Sequence, residues 1–241
     1  MKKKLKNLSE KSMHYELYIT KKQVKFNDWL YSKMKPYLKG DILETGSGIG
    51  TFSEKIIRDF LGKVYLTEID PFFLKELEKK FKSPRVTIAK LDLNNKEDFS
   101  KIKFKFDSIF SSNVLEHIKD DVLALKLIKN ILKPRGVLVL LVPCHKFLFC
   151  DLDITEGHYR RYSKKELEEK AKKAGFKIKK AFWFNTFAIP GRFVNGNIFK
   201  SKKTHASSFG LFNKIILILR FFEEKIFKNI IGVSRIVVLE K

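Results

Sequence analysis

The sequence predicts an α/β fold in which an open, largely parallel sheet is doubly wound, with helices on both faces. Five apolar runs of strand length support this prediction, namely DILET, KVYLTEID, VTIAKLD, FDSIFSSN and GVLVLLVP. A stretch of helical period or a polar loop separates each run from the next, and strands that alternate with helices form parallel sheets. A glycine-rich turn, LETGSGIG, overlaps the end of the first run. It indicates a ligand site at the carboxyl ends of the strands.

The length and composition fit one hydrophobic core. The 241 residues are 44% hydrophobic and include 23 Phe, so we expect a single domain over residues 1–241. The basic N-terminus lacks the apolar stretch of a secretory signal, and the longest purely apolar run, Val137 to Val142, is too short to span a bilayer. Cys144 and Cys150 have no spacing typical of disulfides or metal ligands. We therefore expect a cytoplasmic protein without a bound metal.

The pattern changes after Pro143. A loop rich in charged and aromatic residues leads into a helix that begins at a capping box formed by Ser163 and Glu166. Gly175 is placed to end that helix in a left-handed conformation. Two last strands are predicted at FKIKKAFWF and SRIVVLEK. Between them, the apolar segment from Phe209 to Ile231 predicts a helix buried as a lid or dimer surface, and an interfacial helix on a membrane is the alternative.

The spacing of the glycine turn favours a ligand with a ribose and a positive charge. Gly46, Gly48 and Gly50 are followed by Thr51, whereas the dinucleotide fingerprint needs its third glycine at position 51. Glu44 lies two residues before the first glycine, where its carboxylate would repel a pyrophosphate and attract an ammonium group. No Walker-type phosphate loop occurs in the sequence.

These residues resemble the E/D-x-G-x-G-x-G motif of class I S-adenosylmethionine (SAM)-dependent methyltransferases, which implies SAM as the cofactor. At the end of the second strand, TEID places Glu68 and Asp70 where the family holds both ribose hydroxyls. Glu68 is the preferred acid, and Asp70 is expected to cap a helix beside Pro71. At the end of the third strand, KLDL resembles the adenine-binding motif, in which Asp92 takes the amino group and the amide of Leu93 faces the ring.

The segments around the fourth and fifth strands extend the resemblance. In FDSIFSSNVLEHIKDD, Asn113 would lie near the methionine moiety of the cofactor, and His117 would be either a base or a structural residue. LKPRGVLVLLVP resembles the closing motif, with a Pro-Arg-Gly turn before the fifth strand. The resemblance implies the cofactor-binding residues Glu44, Gly46, Gly48, Gly50, Glu68, Asp70, Asp92, Leu93 and Asn113.

The family's fold is Rossmann-like, with a seven-stranded sheet of order 3-2-1-4-5-7-6 whose last strand is antiparallel. The resemblance divides the domain into an N-terminal helical cap (1–40), a SAM-binding core (41–143), and acceptor-side loops, helices and the last two strands (144–241). A helical insertion is expected before the last strand.

A narrower resemblance covers the flanks. LYITKKQVKFNDWLY and DLDITEGHYRRYSKKELEEKAKKAGF are similar to a bacterial and archaeal subgroup of small-molecule methyltransferases, described as type 11 or type 12 domains. Several members are associated with polysaccharide or glycolipid biosynthesis. The resemblance implies a methyltransferase of EC class 2.1.1.- whose acceptor is a small molecule, a sugar or a lipid-linked compound. It leaves the acceptor itself open, and we expect the methylated atom to be an oxygen.

An oxygen acceptor has to lose a proton, for which a histidine is the usual base. His158 and His145 lie on the loop after the fifth strand, His117 is the third candidate, and Asp151 and Asp153 are expected to assist or orient. Arginine holds acidic sugars, phosphates and pyrophosphates bidentately. The residues expected to contact such an acceptor are Tyr159, Arg160, Arg161 and Tyr162. The alternative is a structural loop whose arginines cap helices or pair with glutamates.

The net charge of +23 leaves further interpretations open. Only eight of the 50 basic residues are Arg and the lysines are spread along the chain, which is typical of a solvated surface as well as of binding to nucleic acid or anionic membranes. An RNA methyltransferase is one alternative, although SNVLEH stands where methyltransferases of the adenine amino group carry N/D/S-P-P-F/Y/W. A basic SAM-binding or scaffold protein without catalysis is another. Weak association with the inner membrane face is also retained, and the oligomeric state is left open.

Overall fold

The computed structural model describes residues 14, 17–198, 206–227 and 229–241. Their strands are β1 (Ile42–Thr45), β2 (Val64–Glu68), β3 (Val86–Lys90), β4 (Phe106–Ser112), β5 (Leu132–Pro143), β6 (Lys177–Phe184) and β7 (Ser234–Glu240). They form one seven-stranded sheet in the order β3-β2-β1-β4-β5-β7-β6. Only β7 runs antiparallel to its neighbours, β5 and β6. The predicted fold class and strand order are confirmed.

Helices cover both faces of this sheet. The α-helices are α1 (Val24–Met34), α2 (Ser53–Asp59), α3 (Pro71–Lys80), α4 (Lys96–Ser100), α5 (Asp121–Asn130), α6 (Asp151–Thr155), α7 (Lys164–Lys173), α8 (Ala188–Phe193) and α9 (Ala206–Lys225). Short 3-10 turns occupy Lys35–Tyr37, Leu115–His117 and Lys146–Leu148, and a π-turn occupies Val194–Ile198. Residues of α1, α2, α3 and α9 pack on one face, and residues of α4, α5 and α7 pack on the other.

The apolar run of β5 shows why this sheet is buried on both faces. Leu138 and Leu140 join the cluster beneath α5 and α7, whereas Val139 and Leu141 join the cluster beneath α1 and α9. Successive side chains of a strand point to opposite faces, so a strand covered on both sides needs apolar residues at every position. That requirement explains the continuous run in the sequence.

Local signals in the sequence set several helix boundaries. Asp70 caps α3 by accepting the backbone N–H of Phe72 at 2.8 Å. Ser163 caps α7 by accepting the N–H of Glu166 at 3.1 Å, and Gly175 follows that helix with φ +85°. The Glu166 carboxylate pairs instead with two lysine side chains, one in the 3-10 turn after β5 at 2.9 Å and one in α7 at 3.1 Å. Only the serine half of the predicted capping box is therefore formed.

The apolar segment near the C-terminus is buried on one side, in the part that the structure describes, and its role as a lid or dimer surface stays a prediction. Ile216 is buried against the sheet, and Glu224 binds the indole N–H of Trp29 on α1 at 3.1 Å. The outward face of α9 nevertheless carries apolar side chains, such as Leu217 and Phe221, which are 55% and 57% exposed. Within the described ranges, no helix combines the length and the apolar character needed to cross a membrane.

Candidate active site

The glycine turn after β1 is sterically specified. Gly46, Gly48 and Gly50 all have positive φ angles, of +61°, +52° and +76°. A Cβ atom on Gly46 would lie 2.6 Å from Val114, and one on Gly50 would lie 2.7 Å from the ring of Phe81. At Gly48 the nearest atom would be a methyl of the Leu17 side chain at 3.4 Å. Gly46 is the exposed glycine of the turn, whereas Gly48 and Gly50 are buried.

Glu44 lies beneath this turn. Its side chain is buried, and the hydroxyl of Ser53, the first residue of α2, donates a hydrogen bond to its carboxylate. Burial raises the pKa of Glu44 to about 7, because the charged form loses its hydration. The carboxylate ties the start of α2 to the end of β1. Its predicted attraction for an ammonium group remains a prediction.

Glu68, at the end of β2, fixes the turn from the side. Its Oε2 atom accepts the N–H of Gly48 at 2.8 Å, and its Oε1 atom accepts the N–H groups of Ile69 at 2.7 Å and Asp70 at 3.2 Å. A carboxylate has about four lone-pair directions, so one direction on Oε2 remains for a ligand. Asp70 uses one oxygen for the cap of α3 and the other for His14 at 2.7 Å.

The end of β3 supplies the next acid. Asp92 Oδ1 accepts hydrogen bonds from the backbone N–H of Asn94 at 2.8 Å and from its side-chain amide at 3.0 Å. Leu93 is buried. The partly exposed carboxylate of Asp92 and the buried carboxylate of Glu68 thus lie at neighbouring strand ends, as a nucleoside requires.

A cavity of about 360 Å³ opens at the carboxyl ends of β4 and β5. Asn113, which follows β4 with φ +52°, and Pro143, the last residue of β5, contribute to its floor. Leu17 and Thr20 line it from the N-terminal segment. The polar part of its wall consists of His117, Glu156, His158, Arg161 and Arg192.

His158 is held in one orientation at this wall. Its Nδ1 atom lies 2.8 Å from Asp153 Oδ1, and its side chain is 9% exposed. In the neutral ring, donation of the Nδ1 hydrogen to this carboxylate leaves a lone pair on Nε2. Nε2 lies 3.5 Å from Glu156 Oε2 and 4.0 Å from Glu116 Oε1. The fixed imidazole therefore presents a basic nitrogen to the cavity.

Asp153 on α6 organises this wall from a fully buried position. It accepts hydrogen bonds from Arg161 Nε at 2.9 Å and from the backbone N–H of Cys150 at 3.0 Å, and Arg192 Nη2 lies 2.7 Å away. Burial opposes its ionisation, but His158 and the two arginines outweigh that effect and lower the pKa of Asp153. Arg192 had no signal in the sequence, because only the fold brings α8 to this wall.

Glu116 is the second buried acid of the wall, and sequence reasoning missed it. It lies in the 3-10 turn after β4, is 0% exposed, and neither of its carboxylate oxygens has a hydrogen-bond partner on another of the described residues. Burial raises the pKa of Glu116 to about 7. The adjacent His117 has a pKa of about 4, lowered by burial and by the nearby His158, whose ring centre is 4.6 Å from its own. The signal in the sequence that could have identified Glu116 is its position directly before His117, after the fourth strand.

The structure corrects the predicted acceptor-contacting set. Arg160 Nη1 and the Tyr162 hydroxyl both bind Asp121 of α5, at 2.6 Å and 2.8 Å, and Tyr162 is completely buried. Tyr159 is exposed and stacks with the Arg160 guanidinium. Within the GHYRRYS segment, only His158 and Arg161 line the cavity.

His145 is also placed away from the cavity. Its Nε2 atom lies 3.0 Å from the carbonyl oxygen of Gly232, and its ring stacks on Trp183 with ring centres 4.9 Å apart. One ring face is thus directed towards β6, and the Nε2 atom is directed towards the loop before β7. This placement removes His145 from the candidate bases, because a base must reach the acceptor.

Comparison with solved structures shows the same fold at low sequence identity. A chain of the complex between the Haloferax volcanii Trm112 methyltransferase activator and the putative methyltransferase has a TM-score of 0.62 and 13% identity, covering 95% of this chain and 96% of that chain. An S-adenosylmethionine-dependent methyltransferase from Mesorhizobium loti gives 0.61 and 14%, covering 88% and 96%. A SAM-dependent methyltransferase from Archaeoglobus fulgidus gives 0.57 and 17%, covering 89% and 94%.

No curated protein sequence matches the chain. A family model described as a methyltransferase domain, of type 23, matches residues 22–181, whereas the resemblance had named types 11 and 12. This match covers more than half of the chain. The chain therefore belongs to the methyltransferase domain family of class I SAM-dependent methyltransferases, and SAM is its cofactor.

Proposed function

We propose that the chain transfers the methyl group of SAM to an oxygen atom of a small-molecule, sugar or lipid-linked acceptor bound in the cavity. The observation that carries this proposal is the orientation of His158, whose Nδ1 is held by Asp153 at 2.8 Å while the ring lines the cavity. A nitrogen fixed in this way is suited to activating a hydroxyl group.

The residues around the glycine turn fit the cofactor. The spare lone pair of Glu68 supports binding of a ribose hydroxyl, and Asp92 supports binding of the adenine amino group. Asn113 lines the cavity, and this position supports a contact with the methionine part of the cofactor. The chemistry that SAM supplies when bound is a methyl group already activated on a sulfonium ion.

The residues of the chain therefore have to position and deprotonate the acceptor. The acceptor oxygen forms a bond to the methyl carbon while the bond from that carbon to sulfur breaks, and its electron pair stays on the sulfur. The hydroxyl proton passes to His158 Nε2, and Asp153 compensates the resulting charge across the Nδ1 hydrogen bond. Leu17 and Thr20, above the cavity, exclude water.

Arg192 supports an acceptor with a negatively charged or strongly polar oxygen. It lines the cavity, and its Nε atom has no hydrogen-bond partner among the described residues. An unpaired guanidinium nitrogen beside a cavity favours a phosphate, carboxylate or sugar oxygen. We infer that Arg192 takes the place that the sequence had assigned to Arg160.

His158→Ala tests the assignment of the activating group. Turnover is expected to fall about 100-fold or more, while SAM affinity measured by calorimetry changes by no more than about twofold. The matched control is His145→Ala, which removes a histidine of the same loop that lies outside the cavity. Full turnover in His158→Ala would refute the assignment.

Methyl transfer from labelled SAM to separate pools of metabolites, lipids and RNA tests the acceptor class. Label in the metabolite or lipid pool supports the proposal. Label in RNA alone would favour the RNA methyltransferase, and label in no pool, with SAM bound, would favour a non-catalytic SAM-binding protein.

The outward face of α9 supports an acceptor carried by a membrane lipid. Leu217, Ile218 and Phe221 are each more than half exposed on this face, and the chain has a net charge of +23. Phe193 of α8 and Ile198 of the π-turn after it are also exposed, and other residues of α8 line the cavity. A basic protein with such a face binds anionic bilayers.

Flotation with anionic vesicles at moderate salt tests the membrane contact. The chain is expected to float, and a Leu217→Glu and Phe221→Glu double variant is expected to stay at the bottom. Wild-type protein that stays at the bottom would reject the contact. A protein partner would then be the occupant to test, since the Haloferax volcanii methyltransferase forms a complex with its activator.

A further inference from the structure

We propose that Glu116, His117 and His158 bind one divalent transition-metal ion, such as Zn²⁺ or Mn²⁺, in the wall of the acceptor cavity. Each of these residues offers one ligand atom, and these atoms all lie within 4.8 Å of one another. Two of the three side chains line the cavity directly. A role of the ion in activating the acceptor rests on the proposed function, whereas the binding of the ion does not.

The distances suit ligands of one ion better than they suit hydrogen bonds. Glu116 Oε1 and His158 Nε2 are 4.0 Å apart, beyond hydrogen-bond reach. Metal-ligand bonds of about 2.1 Å place neighbouring ligand atoms about 3.0 Å apart and opposite ones about 4.2 Å apart. Each of the two atoms would move by about 0.5 Å to become neighbouring ligands, or by about 0.1 Å to become opposite ones.

The carboxylate of Glu116 supplies an independent reason for a cation. It is 0% exposed, and neither Oε1 nor Oε2 has a hydrogen-bond partner on another residue that the structure describes. A buried carboxylate without partners is strongly unfavourable, and such groups are normally paired or coordinate a metal. Arg161 and Arg192 do not fill this role, because their nearest acid is Asp153.

Both imidazoles are oriented as metal ligands usually are. A ligating histidine donates its second ring N–H to a carboxylate or a backbone carbonyl, which fixes the ring and its tautomer. His158 has Asp153 in that position at 2.8 Å, and His117 hydrogen-bonds to the backbone of Gly157. The structure therefore contains second partners for both ligand rings.

The ligand types indicate the metal. Two imidazoles and one carboxylate form the ligand set of several catalytic zinc sites and of non-haem iron sites, whereas Mg²⁺ and Ca²⁺ prefer oxygen ligands. Three protein ligands leave coordination positions open towards the cavity. Asp153 is excluded as a further ligand, since two arginines, His158 and a backbone N–H already occupy it.

The ion would change how the acceptor is activated. A hydroxyl oxygen bound at an open position loses its proton to solvent more readily, and the oxygen then bonds to the methyl carbon while the carbon-sulfur bond breaks, with its electrons kept by sulfur. His158 acts as a ligand in this arrangement and no longer takes the proton. Metal dependence of turnover separates the two modes of activation.

Cobalt titration of EDTA-treated, dialysed full-length protein tests the site without any acceptor. We expect one Co²⁺ per chain with visible absorption bands of a bound ion, and competition by Zn²⁺ and Mn²⁺ measured calorimetrically. Glu116→Gln is expected to weaken binding about 100-fold or more, while His145→Ala keeps it. No stoichiometric binding by the wild type, or unchanged binding by Glu116→Gln, would overturn the proposal.

The same variant separates a metal ligand from a structural acid. Removal of an unpaired buried charge is expected to keep or raise the melting temperature of the metal-free protein, and only the wild type gains stability on addition of Zn²⁺. Methyl transfer that persists after chelation, without metal binding, would reject the metal and leave the proposed function intact. Stoichiometric metal binding without methyl transfer to any pool would support the metal site and reject the proposed function.

Discussion

Glu68→Gln tests the assignment of the ribose-binding acid, because it keeps the shape of the side chain and removes its charge. The carboxylate accepts three backbone N–H groups, from Gly48 at 2.8 Å, Ile69 at 2.7 Å and Asp70 at 3.2 Å. The one remaining lone-pair direction, on Oε2, would accept a ribose hydroxyl of the cofactor. The substitution therefore acts on two processes, cofactor binding and folding.

The expected magnitudes follow from these contacts. One hydrogen bond to a charged group contributes about 1.5–3 kcal/mol, which corresponds to a loss of SAM affinity of about 10-fold to 150-fold. The amide nitrogen of Gln also has to face at least one of the three N–H donors in either orientation. One donor then loses its acceptor, and the free energy of unfolding is expected to fall by about 1–3 kcal/mol.

Calorimetric titration with SAM and urea denaturation measure the two effects separately. Asp70→Asn is the matched control, since asparagine caps a helix as well as aspartate does, and its SAM affinity is expected to stay within about twofold of the wild type. If Glu68→Gln lowers stability and leaves SAM affinity unchanged, Glu68 only holds the turn. A larger loss of affinity in Asp70→Asn would assign the ribose to that residue.

Three further variants address the framework of the site. Tyr162→Phe removes the hydroxyl that donates to Asp121 at 2.8 Å and is expected to lower the free energy of unfolding by about 1–3 kcal/mol in urea, with SAM affinity unchanged. Burial opposes ionisation of Asp121, but hydrogen bonds from basic and hydroxyl groups outweigh it and lower its pKa. Its stabilisation is therefore fully present above the unfolded-state pKa of about 3.9 and is lost as the pH falls below it. Asp121→Asn is expected to flatten this acid limb in denaturation curves measured from about pH 5 down to about pH 2. Gly50→Ala, at φ +76° and 2.7 Å from the ring of Phe81, is expected to unfold the turn or to lower the melting temperature markedly; Gly191→Ala in α8, with nothing within 4 Å, is the control and is expected to be neutral or slightly stabilising.

The sequence by itself determined the features that depend on neighbours along the chain. The strand runs, the glycine turn, the cap at Asp70 and the helix end at Gly175 are local, because backbone dihedrals and capping hydrogen bonds join residues only a few positions apart. The continuous apolar run of β5 also specified a strand buried on both faces. The fold class and the cofactor followed from these signals.

Only the tertiary structure decided which side chains meet at the cavity. Glu116 and His158 are 42 positions apart in the sequence and about 4 Å apart in the fold, so no spacing rule for metal ligands links them. In the GHYRRYS segment, Tyr162 enters the core and Arg160 reaches Asp121, whereas Arg161 turns to Asp153 and the cavity. Neighbouring residues of an extended segment point in opposite directions, and the packing of α5 and α6 on either side determines which of them reaches the site.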